Sequence, residues 1–485
     1  MRALVAAVLA IVAGLFAFAA GAGLTGSPGA AALIGASVVA LTGWLVYARR
    51  IVTLDEASCS RALRIVSAVA ALAAVAVLAR LTVFMLDPTR PECSFNPGSK
   101  WEIGHNCLTA YYVSAKAAST TQDIYDDALF TAPDDVPDKP RKPLTLGAFK
   151  IDVFEYPPAF LLLPRALIKL APDFTRLRML WFGLSGGVVL LAFLAVSRFL
   201  SPAAGTRALL LAPLVWLSFA MLSCLQKGNV QVVVIAASML AMVLFASERD
   251  AAGGAILAFV TLSKIYPGML ILLLLVQRRW RAMAWTAAAG ILFSVVSLID
   301  TGWTPYASFL HRLPQILGGE AFPAFRNPAA IAINVSIPGL VFKLGQLGVP
   351  GMSFLASKIV GWAYTLVIVA AIVLLGRRTL EKDELPAISM AILILATLRS
   401  PFLPLGYAAI PPLWLLTLMA ARFAPTGRIL AIVAILWLAL NVYWPTDWPV
   451  DPRLLGLAVL VPQAVMVGLA VVALRKPPAA GRHAI

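Results

Sequence analysis

Charged residues are scarce in this sequence. Asp, Glu, Lys and Arg make up 13% of its 485 residues, whereas a soluble domain carries about 25%. Apolar residues reach 61%, the mean hydropathy is +0.88, and apolar runs recur from Leu4 to Leu474. Because about 20 apolar residues span the hydrocarbon core of a bilayer, the sequence predicts an all-α polytopic membrane protein. This composition excludes a disordered chain, a secreted disulfide scaffold and a nucleic-acid-binding domain.

Several sequence signatures are also missing. The chain has no Walker A loop, dinucleotide-binding fingerprint or nucleophile elbow, which argues against ATP-driven transport and cytosolic nucleotide-sugar chemistry. No repeat of fixed period is visible, which weighs against an inverted-repeat transporter. None of the three histidines stands in a His/Cys/carboxylate group with metal-ligand spacing. We therefore expect no cofactor and no metal site, beyond a cation weakly held by loop carboxylates.

The apolar runs predict about 12–14 membrane crossings. Arginines cluster between positions 49 and 64, and the last span ends at Arg475-Lys476, so the positive-inside rule places both termini in the cytoplasm. The net charge of +16 is explained by cationic loop ends facing anionic lipid. The first span resembles a signal peptide, but we expect it to be uncleaved. Apart from the hairpin described below, the predicted spans are residues 4–22, 31–47, 65–86, 154–170, 180–196, 208–221, 230–246, 282–299, 359–375, 387–398, 407–420, 429–442 and 454–474.

The longest non-apolar stretch, residues 87–150, holds nine of the 23 acidic residues and is called the acidic loop below. It follows a cytoplasmic arginine cluster and one span, so we expect it on the external side. Residues 115–118 and the flanking aromatics predict short amphipathic helices at the membrane surface. Four prolines in residues 133–143 predict an irregular segment. The acidic loop is the candidate roof of an active site.

Lys264 interrupts an apolar hairpin whose two ends, Glu248-Arg249-Asp250 and Arg278-Arg279-Trp280-Arg281, look cytoplasmic. Each arm has about twelve residues, too few to cross a bilayer, which predicts a bent or re-entrant pair with Lys264 near the outer leaflet. A lysine at this depth raises the free energy of the folded protein unless its charge is paired, hydrated or engaged in function. This position favours binding of a phosphate or pyrophosphate.

Arg80 and Asp87 are separated by two helical turns and therefore share one helix face. The pair could combine a cation for a lipid phosphate with a carboxylate base. The alternative is that Arg80 only extends its side chain to the membrane interface. Arg399 is a second candidate for binding phosphate, and the same alternative applies to it.

Two polar segments adjoin apolar spans. Residues 226–229, Gln-Lys-Gly-Asn, could bind a ligand or form a simple interhelical turn. Residues 155–158, Glu-Tyr-Pro-Pro, suit a helix start and could be no more than a cap.

Cys93 and Cys107 both lie in the acidic loop and could form a disulfide in an oxidising compartment, with two free thiols as the alternative.

The order of these motifs is similar to that of glycosyltransferase family 87, of the GT-C superfamily. The resemblance covers residues 65–445, and leaves residues 1–50 as two additional helices and residues 446–485 as the last span with a cytoplasmic tail. It rests on the following segments in succession: Tyr111-Tyr112, Ala115, Ile124-Tyr125-Asp126, Phe154-Glu155-Tyr156-Pro157-Pro158, Gln226-Lys227-Gly228-Asn229, Lys264-Ile265-Tyr266-Pro267, Arg278-Arg279-Trp280-Arg281, Asn334-Val335-Ser336 and Ser400-Pro401.

The resemblance implies a GT-C-like bundle in the bacterial plasma membrane with its site facing the periplasm or cell exterior. It also implies transfer of mannose or arabinose from a polyprenyl-phosphate donor to a cell-envelope lipid or glycan. Family members usually carry an Asp shortly before the Tyr pair as general base, but residues 104–110 contain no carboxylate here. We expect the base to be Asp87, with Glu102 and His105 as alternatives, unless this branch has lost or changed the activity.

The expected reaction is a single displacement that inverts the anomeric carbon and needs no cofactor besides the lipid-linked donor. The donor phosphate is expected at Lys264, Arg80, Arg399 and Lys227. Sugar and acceptor are expected at Tyr111, Tyr112, Glu155, Tyr156, Gln226, Asn229 and Tyr266. A flippase or exporter of lipid-linked sugars and a polysaccharide polymerase or ligase are the rival functions.

Overall fold

A computed structural model describes residues 1–120, 123–132, 142–378, 380–423, 425–442 and 449–475. These residues are predominantly helical, with one small sheet, so the predicted all-α polytopic fold is confirmed. Most of the predicted irregular segment 133–143, and the predicted tail from Lys476 onward, lie outside the described residues.

The helices follow one another with short connections, except in the acidic loop and between residues 319 and 353. In chain order they are α1 (Arg2–Thr25), α2 (Pro28–Tyr47), α3 (Arg61–Leu86), α4 (Lys100–Gly104), α5 (Leu108–Ala117), α6 (Leu162–Leu170), α7 (Phe174–Phe199), α8 (Pro202–Trp216), α9 (Phe219–Lys227), α10 (Gln231–Ala246), α11 (Asp250–Ser263), α12 (Gly268–Val276), α13 (Trp280–Thr301), α14 (Thr304–Gly318), α15 (Pro328–Ile333), α16 (Leu340–Gln346), α17 (Phe354–Gly376), α18 (Leu385–Thr397), α19 (Leu405–Ala408), α20 (Ile410–Arg422), α21 (Gly427–Leu440), α22 (Pro452–Ala458) and α23 (Leu460–Leu474).

Within the described ranges, eight helices or continuous helix pairs are long and apolar enough to cross a membrane. The pair α8 and α9, bent by 64°, makes a ninth candidate span. Four shorter apolar helices accompany them: α10, α11, α18 and α21. The expected number of crossings, about 12–14, stays a prediction.

Two of the long membrane helices, α3 and α7, begin at side-chain caps. Ser60 accepts a hydrogen bond from Leu63 N–H at the start of α3, and Asp173 accepts one from Arg176 N–H at the start of α7. Each cap satisfies one of the backbone donors that a first helical turn leaves unpaired. These caps fix where the loops end and where the apolar runs begin.

The predicted break at Lys264 is confirmed. α11 ends at Ser263, Lys264 adopts an extended backbone, and α12 starts after Pro267. Proline at this point has no N–H to continue the helical hydrogen-bond ladder. Two short arms therefore meet at residues 264–267, with Lys264 at their junction.

The predicted span over residues 154–170 is wrong. Residues up to 157 are extended or turning, Pro158–Leu161 forms a 3-10 turn, and α6 has only nine residues. Nine helical residues extend about 14 Å, half the thickness of the hydrocarbon core. Arg165 of α6 forms an ion pair with Asp300 at the end of α13, which fixes α6 beside the bundle.

The acidic loop folds against the bundle through α4, α5 and a three-stranded sheet in the order β1-β3-β2. The strands are β1 (His105–Asn106), β2 (Thr145–Leu146) and β3 (Phe149–Ile151), and β1 pairs with β3 in parallel. α5 is buried along most of its length, so the expected surface helix near residues 115–118 is instead part of the core.

The two N-terminal helices pack on the rest of the protein. Arg176 of α7 donates a 2.9 Å hydrogen bond to Gly23 O at the end of α1. A Cβ at Gly183 would lie only 2.4 Å from Phe16 O, so α1 and α7 approach too closely for a side chain there. The domain division expected at residue 50 stays a prediction. In the structure α1, which precedes it, is in contact with α7, which follows it.

Candidate active site

Lys264 lies where the α11–α12 break meets the segment that follows the acidic loop. Its Nζ is 5.2 Å from the centre of the Tyr156 ring. Glu155 and Asp152 are the carboxylates that act electrostatically on its charge. We call this arrangement the Lys264 recess, bounded by Lys264, Tyr156, Glu155 and Asp152. Lys264 thus lies beside polar side chains of the segment that follows the acidic loop, and its expected role in binding a phosphate stays a prediction.

The two carboxylates of the recess are surrounded by protein but reachable by solvent. Burial raises the pKa of Asp152 to about 6, although 38% of its side-chain surface is accessible. Burial, reinforced by the Asp152 charge, raises the pKa of Glu155 to about 8. Low-dielectric surroundings combined with solvent access are typical of a concave site rather than a packed core. Within the described part of the chain, Glu155 has no hydrogen-bond or ion-pair partner.

Aromatic side chains fix the position of Tyr156. The Tyr111 hydroxyl donates to the Tyr156 hydroxyl at 3.0 Å, and the two rings meet edge to face at 5.1 Å. Tyr125 donates a 2.6 Å hydrogen bond to Tyr156 O. Phe160 packs on both Tyr111 and Tyr156. Tyr111 and Tyr156, both expected to bind sugar or acceptor, therefore contact each other, and that role stays a prediction.

Tyr112 lies away from the recess. Its hydroxyl donates to Pro172 O at 3.0 Å, and Lys116 Nζ lies 4.3 Å from its ring centre. Successive helical residues point about 100° apart, so the two tyrosines of α5 face different neighbours. The expected role of Tyr112 in binding sugar or acceptor stays a prediction.

Glu102 and Lys227 neutralise each other. Lys227 Nζ lies 2.8 Å from Glu102 Oε1, both side chains are buried, and Ser223 donates to Oε2 at 3.2 Å. Gln226 donates to Glu102 O at 2.8 Å and accepts from Phe95 N–H at 2.9 Å. The expected roles of Glu102 as base, Lys227 as phosphate ligand and Gln226 as sugar ligand do not fit this closed network, which joins α4 to α9.

His105, Cys107 and Asp152 form a compact cluster. His105 Nε2 lies 3.6 Å from Cys107 Sγ and 3.7 Å from Asp152 Oδ2. The Tyr407 hydroxyl lies 3.4 Å from both Nε2 and Sγ, and Trp101 stacks on the imidazole at 4.4 Å. Burial lowers the pKa of His105 to about 3, so the imidazole is neutral at pH 7 and a weak proton acceptor.

The parallel pairing of β1 and β3 builds this cluster. The register places His105 opposite Lys150 and Asn106 opposite Ile151, so Cys107 and Asp152 follow at the next position. The sheet thus brings the Asp152 carboxylate to His105 and Cys107, a grouping that the sequence spacing did not indicate, and the expectation of no metal site stays a prediction.

The predicted Cys93–Cys107 disulfide is absent from the described structure, in which both residues are free thiols. Cys107 is buried and accepts a 3.3 Å hydrogen bond from Asn229 Nδ2. Asn229 Oδ1 accepts from Gln231 N–H at 2.9 Å. Asn229 therefore contacts the cluster thiol, and its expected sugar contact stays a prediction.

Asp87 lies in a turn after α3. It accepts hydrogen bonds from the Thr89 hydroxyl at 2.6 Å and from Arg90 Nε at 3.2 Å. The Thr89 bonds, more than the Arg90 charge, hold the pKa of Asp87 below its usual range, which suits a proton acceptor poorly. Arg80 donates to Phe95 O at 2.9 Å, and no ion pair joins it to Asp87 in the described ranges. α3 ends at Leu86 and Asp87 has an extended backbone, so the helix does not continue to carry both residues on one face. Their expected roles as phosphate ligand and base stay predictions.

Arg399 and Tyr266 also lie apart from the contacts of the recess. Arg399 donates a 2.7 Å hydrogen bond to Thr365 and lies over the Trp362 ring. The Tyr266 hydroxyl is buried and lacks a hydrogen-bond partner among the described residues. Their expected phosphate and acceptor roles stay predictions.

Sequence reasoning missed Asp152 and Tyr407. Asp152 stands just past the end of the acidic loop, two residues before the Phe154–Pro158 motif, and that position was the available signal. Tyr407 belongs to the short helix α19, and nothing in the spacing connects it to His105. The recess thus offers a cation and two carboxylates, which could hold a phosphate and accept a proton.

The sequence model of glycosyltransferase family 87 matches residues 154–403, just over half of the chain. The match begins at the Phe154–Pro158 motif and includes Lys264. Comparison with curated proteins gives no match, and neither does comparison with solved structures.

Proposed function

The chain belongs to glycosyltransferase family 87, and on this premise we propose that it transfers a mannose- or arabinose-type sugar from a polyprenyl-phosphate donor to a cell-envelope lipid or glycan. The membrane helices and the family together make it a membrane glycosyltransferase. The sugar, the donor and the acceptor are the proposed parts.

The observation that carries the proposal is the position of Lys264. Its ammonium group lies over Tyr156 and within electrostatic reach of Glu155 and Asp152. A polyprenyl-phosphate donor keeps its isoprenoid chain in lipid and its phosphate at the membrane surface. A fixed cation at the junction of two short apolar helices suits that phosphate, because it stabilises the charge that grows on the leaving group.

In the proposed reaction an acceptor hydroxyl attacks the anomeric carbon from the side opposite the phosphate. The new bond joins acceptor oxygen to the anomeric carbon, and the bond from that carbon to the phosphate oxygen breaks. The electron pair leaves with polyprenyl phosphate, whose negative charge is paired with Lys264. The hydroxyl proton passes to a carboxylate of the recess. One displacement of this kind inverts the anomeric configuration.

We assign the proton to Glu155. Its pKa of about 8 lies near the working pH, which favours general-base catalysis, and no protein partner competes for it in the described structure. Asp152 is already committed to the cluster with His105. Asp87 and Glu102, which the sequence put forward, are held by Thr89 and Lys227 respectively.

The proposed location is the bacterial plasma membrane with the recess on the external side. Lys264 and Arg278-Arg279 lie at opposite ends of α12, and the positive-inside rule assigns the arginine end to the cytoplasm. α12 has nine residues and extends about 14 Å, so it places Lys264 at membrane depth on the external side of these arginines, and we propose that the recess opens to the external side.

The test uses full-length protein, a polyprenyl-phosphate donor with labelled sugar, and a candidate acceptor. Release of polyprenyl phosphate that depends on acceptor, with an inverted linkage in the product, is expected. Sealed vesicles containing the protein provide the second arm. Translocation of the intact donor without release would overturn the proposal in favour of a flippase, and release from lipid-pyrophosphate donors alone would favour a polymerase or ligase.

A further inference from the structure

The His105–Cys107–Asp152 cluster has the geometry of an unassigned metal site. One ligand atom from each residue lies within 4.8 Å of the other two. The donor types are an imidazole nitrogen, a thiolate sulfur and a carboxylate oxygen, which together suit Zn²⁺ or a similar divalent transition metal. Catalysis by the Lys264 recess, as proposed above, does not require this metal.

The distances agree with a tetrahedral ion. With Zn–S of about 2.3 Å and Zn–N or Zn–O of about 2.0–2.1 Å, neighbouring donor atoms lie about 3.3–3.6 Å apart. The observed separations are 3.6 Å for Cys107 Sγ to His105 Nε2 and 3.7 Å for Nε2 to Asp152 Oδ2. The third separation, from Cys107 Sγ to the Asp152 carboxylate, is within 4.8 Å.

The convergence on one ring nitrogen argues against a catalytic triad. In a Cys-His-Asp triad, the thiol and the carboxylate contact different nitrogens of the imidazole. Here Cys107 Sγ, Asp152 Oδ2 and the Tyr407 hydroxyl all approach Nε2. One nitrogen cannot serve all three by hydrogen bonds, whereas a shared cation between them would.

The surroundings support the ligands. Asn229 Nδ2 donates to Cys107 Sγ at 3.3 Å, and such a bond stabilises a thiolate ligand. Trp101 stacks on His105 and fixes its plane. The Tyr407 hydroxyl lies 3.4 Å from both Cys107 Sγ and His105 Nε2.

The local charge also balances. When the ion binds, the Cys107 thiol loses its proton to solvent, and the resulting thiolate and the Asp152 carboxylate supply two negative charges against the two positive charges of the ion. Lys227 and Lys150 are the cations whose charges act on His105, and Lys227 is paired with Glu102 at 2.8 Å. Entry of a divalent cation therefore leaves the cluster neutral instead of adding uncompensated charge.

We propose that His105, Cys107 and Asp152 bind a divalent zinc-type ion that joins β1 to the segment leading from β3 into Glu155. The ion would hold the carboxylate-bearing segment in register with α5, since its ligands come from both strands of the parallel pair. In this arrangement the three residues act as metal ligands, and Asn229 as a positioning residue.

The test is metal analysis of full-length protein purified through a histidine-free tag. We expect about one zinc ion per chain by elemental analysis. After replacement by Co²⁺ we expect a thiolate-to-cobalt charge-transfer band in the near ultraviolet. Cys107→Ser should abolish the band, Asp152→Asn should weaken Co²⁺ binding by at least about tenfold, and Asn229→Ala should weaken it by about 10–100-fold.

Cys93→Ser is the matched control, because it removes another thiol of the acidic loop that lies outside the cluster. It should retain the metal and the cobalt band. If Cys107→Ser does not fold, Co²⁺ binding is measured on Asp152→Asn and His105→Gln instead. A thermal unfolding curve of each variant shows whether it is folded. A metal-free wild type that binds no Co²⁺, or Co²⁺ binding unchanged in Asp152→Asn and His105→Gln, would overturn the proposal. Sugar transfer by metal-free protein would leave the proposed function intact.

Discussion

Glu102 Oε1 lies 2.8 Å from Lys227 Nζ, with only 4% and 5% of the two side-chain surfaces exposed. Glu102 comes from α4 in the acidic loop, and Lys227 ends α9, a helix of the bundle. The pair therefore fastens α4 of the acidic loop to α9 of the bundle. Both residues were catalytic candidates from sequence, and their mutual contact gives them a structural role.

Breaking this pair should destabilise the protein strongly. Lys227→Met leaves a buried carboxylate without a counter-charge, which costs about 3–5 kcal/mol. Thermal or denaturant unfolding in detergent measures the change. Arg90→Ala is the control, because its pair with Asp87 is solvent-exposed and exposed pairs contribute about 0–1 kcal/mol. Equal effects of the two substitutions would contradict the assigned role.

The pH dependence of transfer should report Glu155. A base must be deprotonated to act, so kcat/KM should rise as the pH increases through about 8 and level off above it. The measurement uses the wild type in the presence of a chelator, with Asp87→Asn as a control that should keep the same profile. Glu155→Gln should lose at least about a hundredfold in kcat. A profile that is flat from pH 6 to 9 would exclude Glu155.

Arg312→Ala should shift the rising limb of this pH profile to higher pH. Arg312, on α14, is bound to Asp127 Oδ1 at 3.0 Å, and its charge lowers the pKa of Glu155. Removing the charge raises that pKa, so the rising limb of kcat/KM should shift to higher pH. Arg326→Ala, which removes a different basic residue of the same region, should leave the limb in place. A shift of the rising limb to lower pH in Arg312→Ala would contradict the assigned effect of Arg312 on the pKa of Glu155.

All four cysteines should titrate as thiols. The described structure contains no disulfide, and Cys59, Cys93, Cys107 and Cys224 are free. Unfolding the protein in denaturant and chelator without reductant should expose about four reactive thiols per chain. A count near two that rises to four after reduction would restore the Cys93–Cys107 bridge that the sequence suggested.

The position of Lys264 could be predicted from sequence because length alone constrains it. The two apolar arms on either side of Lys264 are each too short to cross the membrane, and the second arm ends at the basic residues Arg278-Arg279. The break between the arms must therefore lie within the membrane or at its external side. The same reasoning failed for residues 154–170. The apolar composition indicated a span, but Pro157 and Pro158 keep the chain in turns until only nine residues remain for α6.

The arrangement of the site depended on contacts that spacing does not reveal. Asp152 joins His105 and Cys107 only through the parallel pairing of β1 with β3, strands separated by a long connection. Parallel pairing over such a distance leaves no periodic signal in the sequence. Likewise, nothing in the sequence indicated that the charges of Glu102 and Lys227 would face each other.

The most direct measurement of the central claim compares polyprenyl-phosphate release by Lys264→Ala and Lys116→Ala. Both lysines lie over tyrosine rings, at 5.2 Å and 4.3 Å from the ring centres, but only Lys264 adjoins Glu155 and Asp152. We predict that Lys264→Ala lowers the rate by at least about a hundredfold while its unfolding curve stays close to that of the wild type. Lys116→Ala should retain nearly full activity. Unchanged turnover in a folded Lys264→Ala variant would contradict the account.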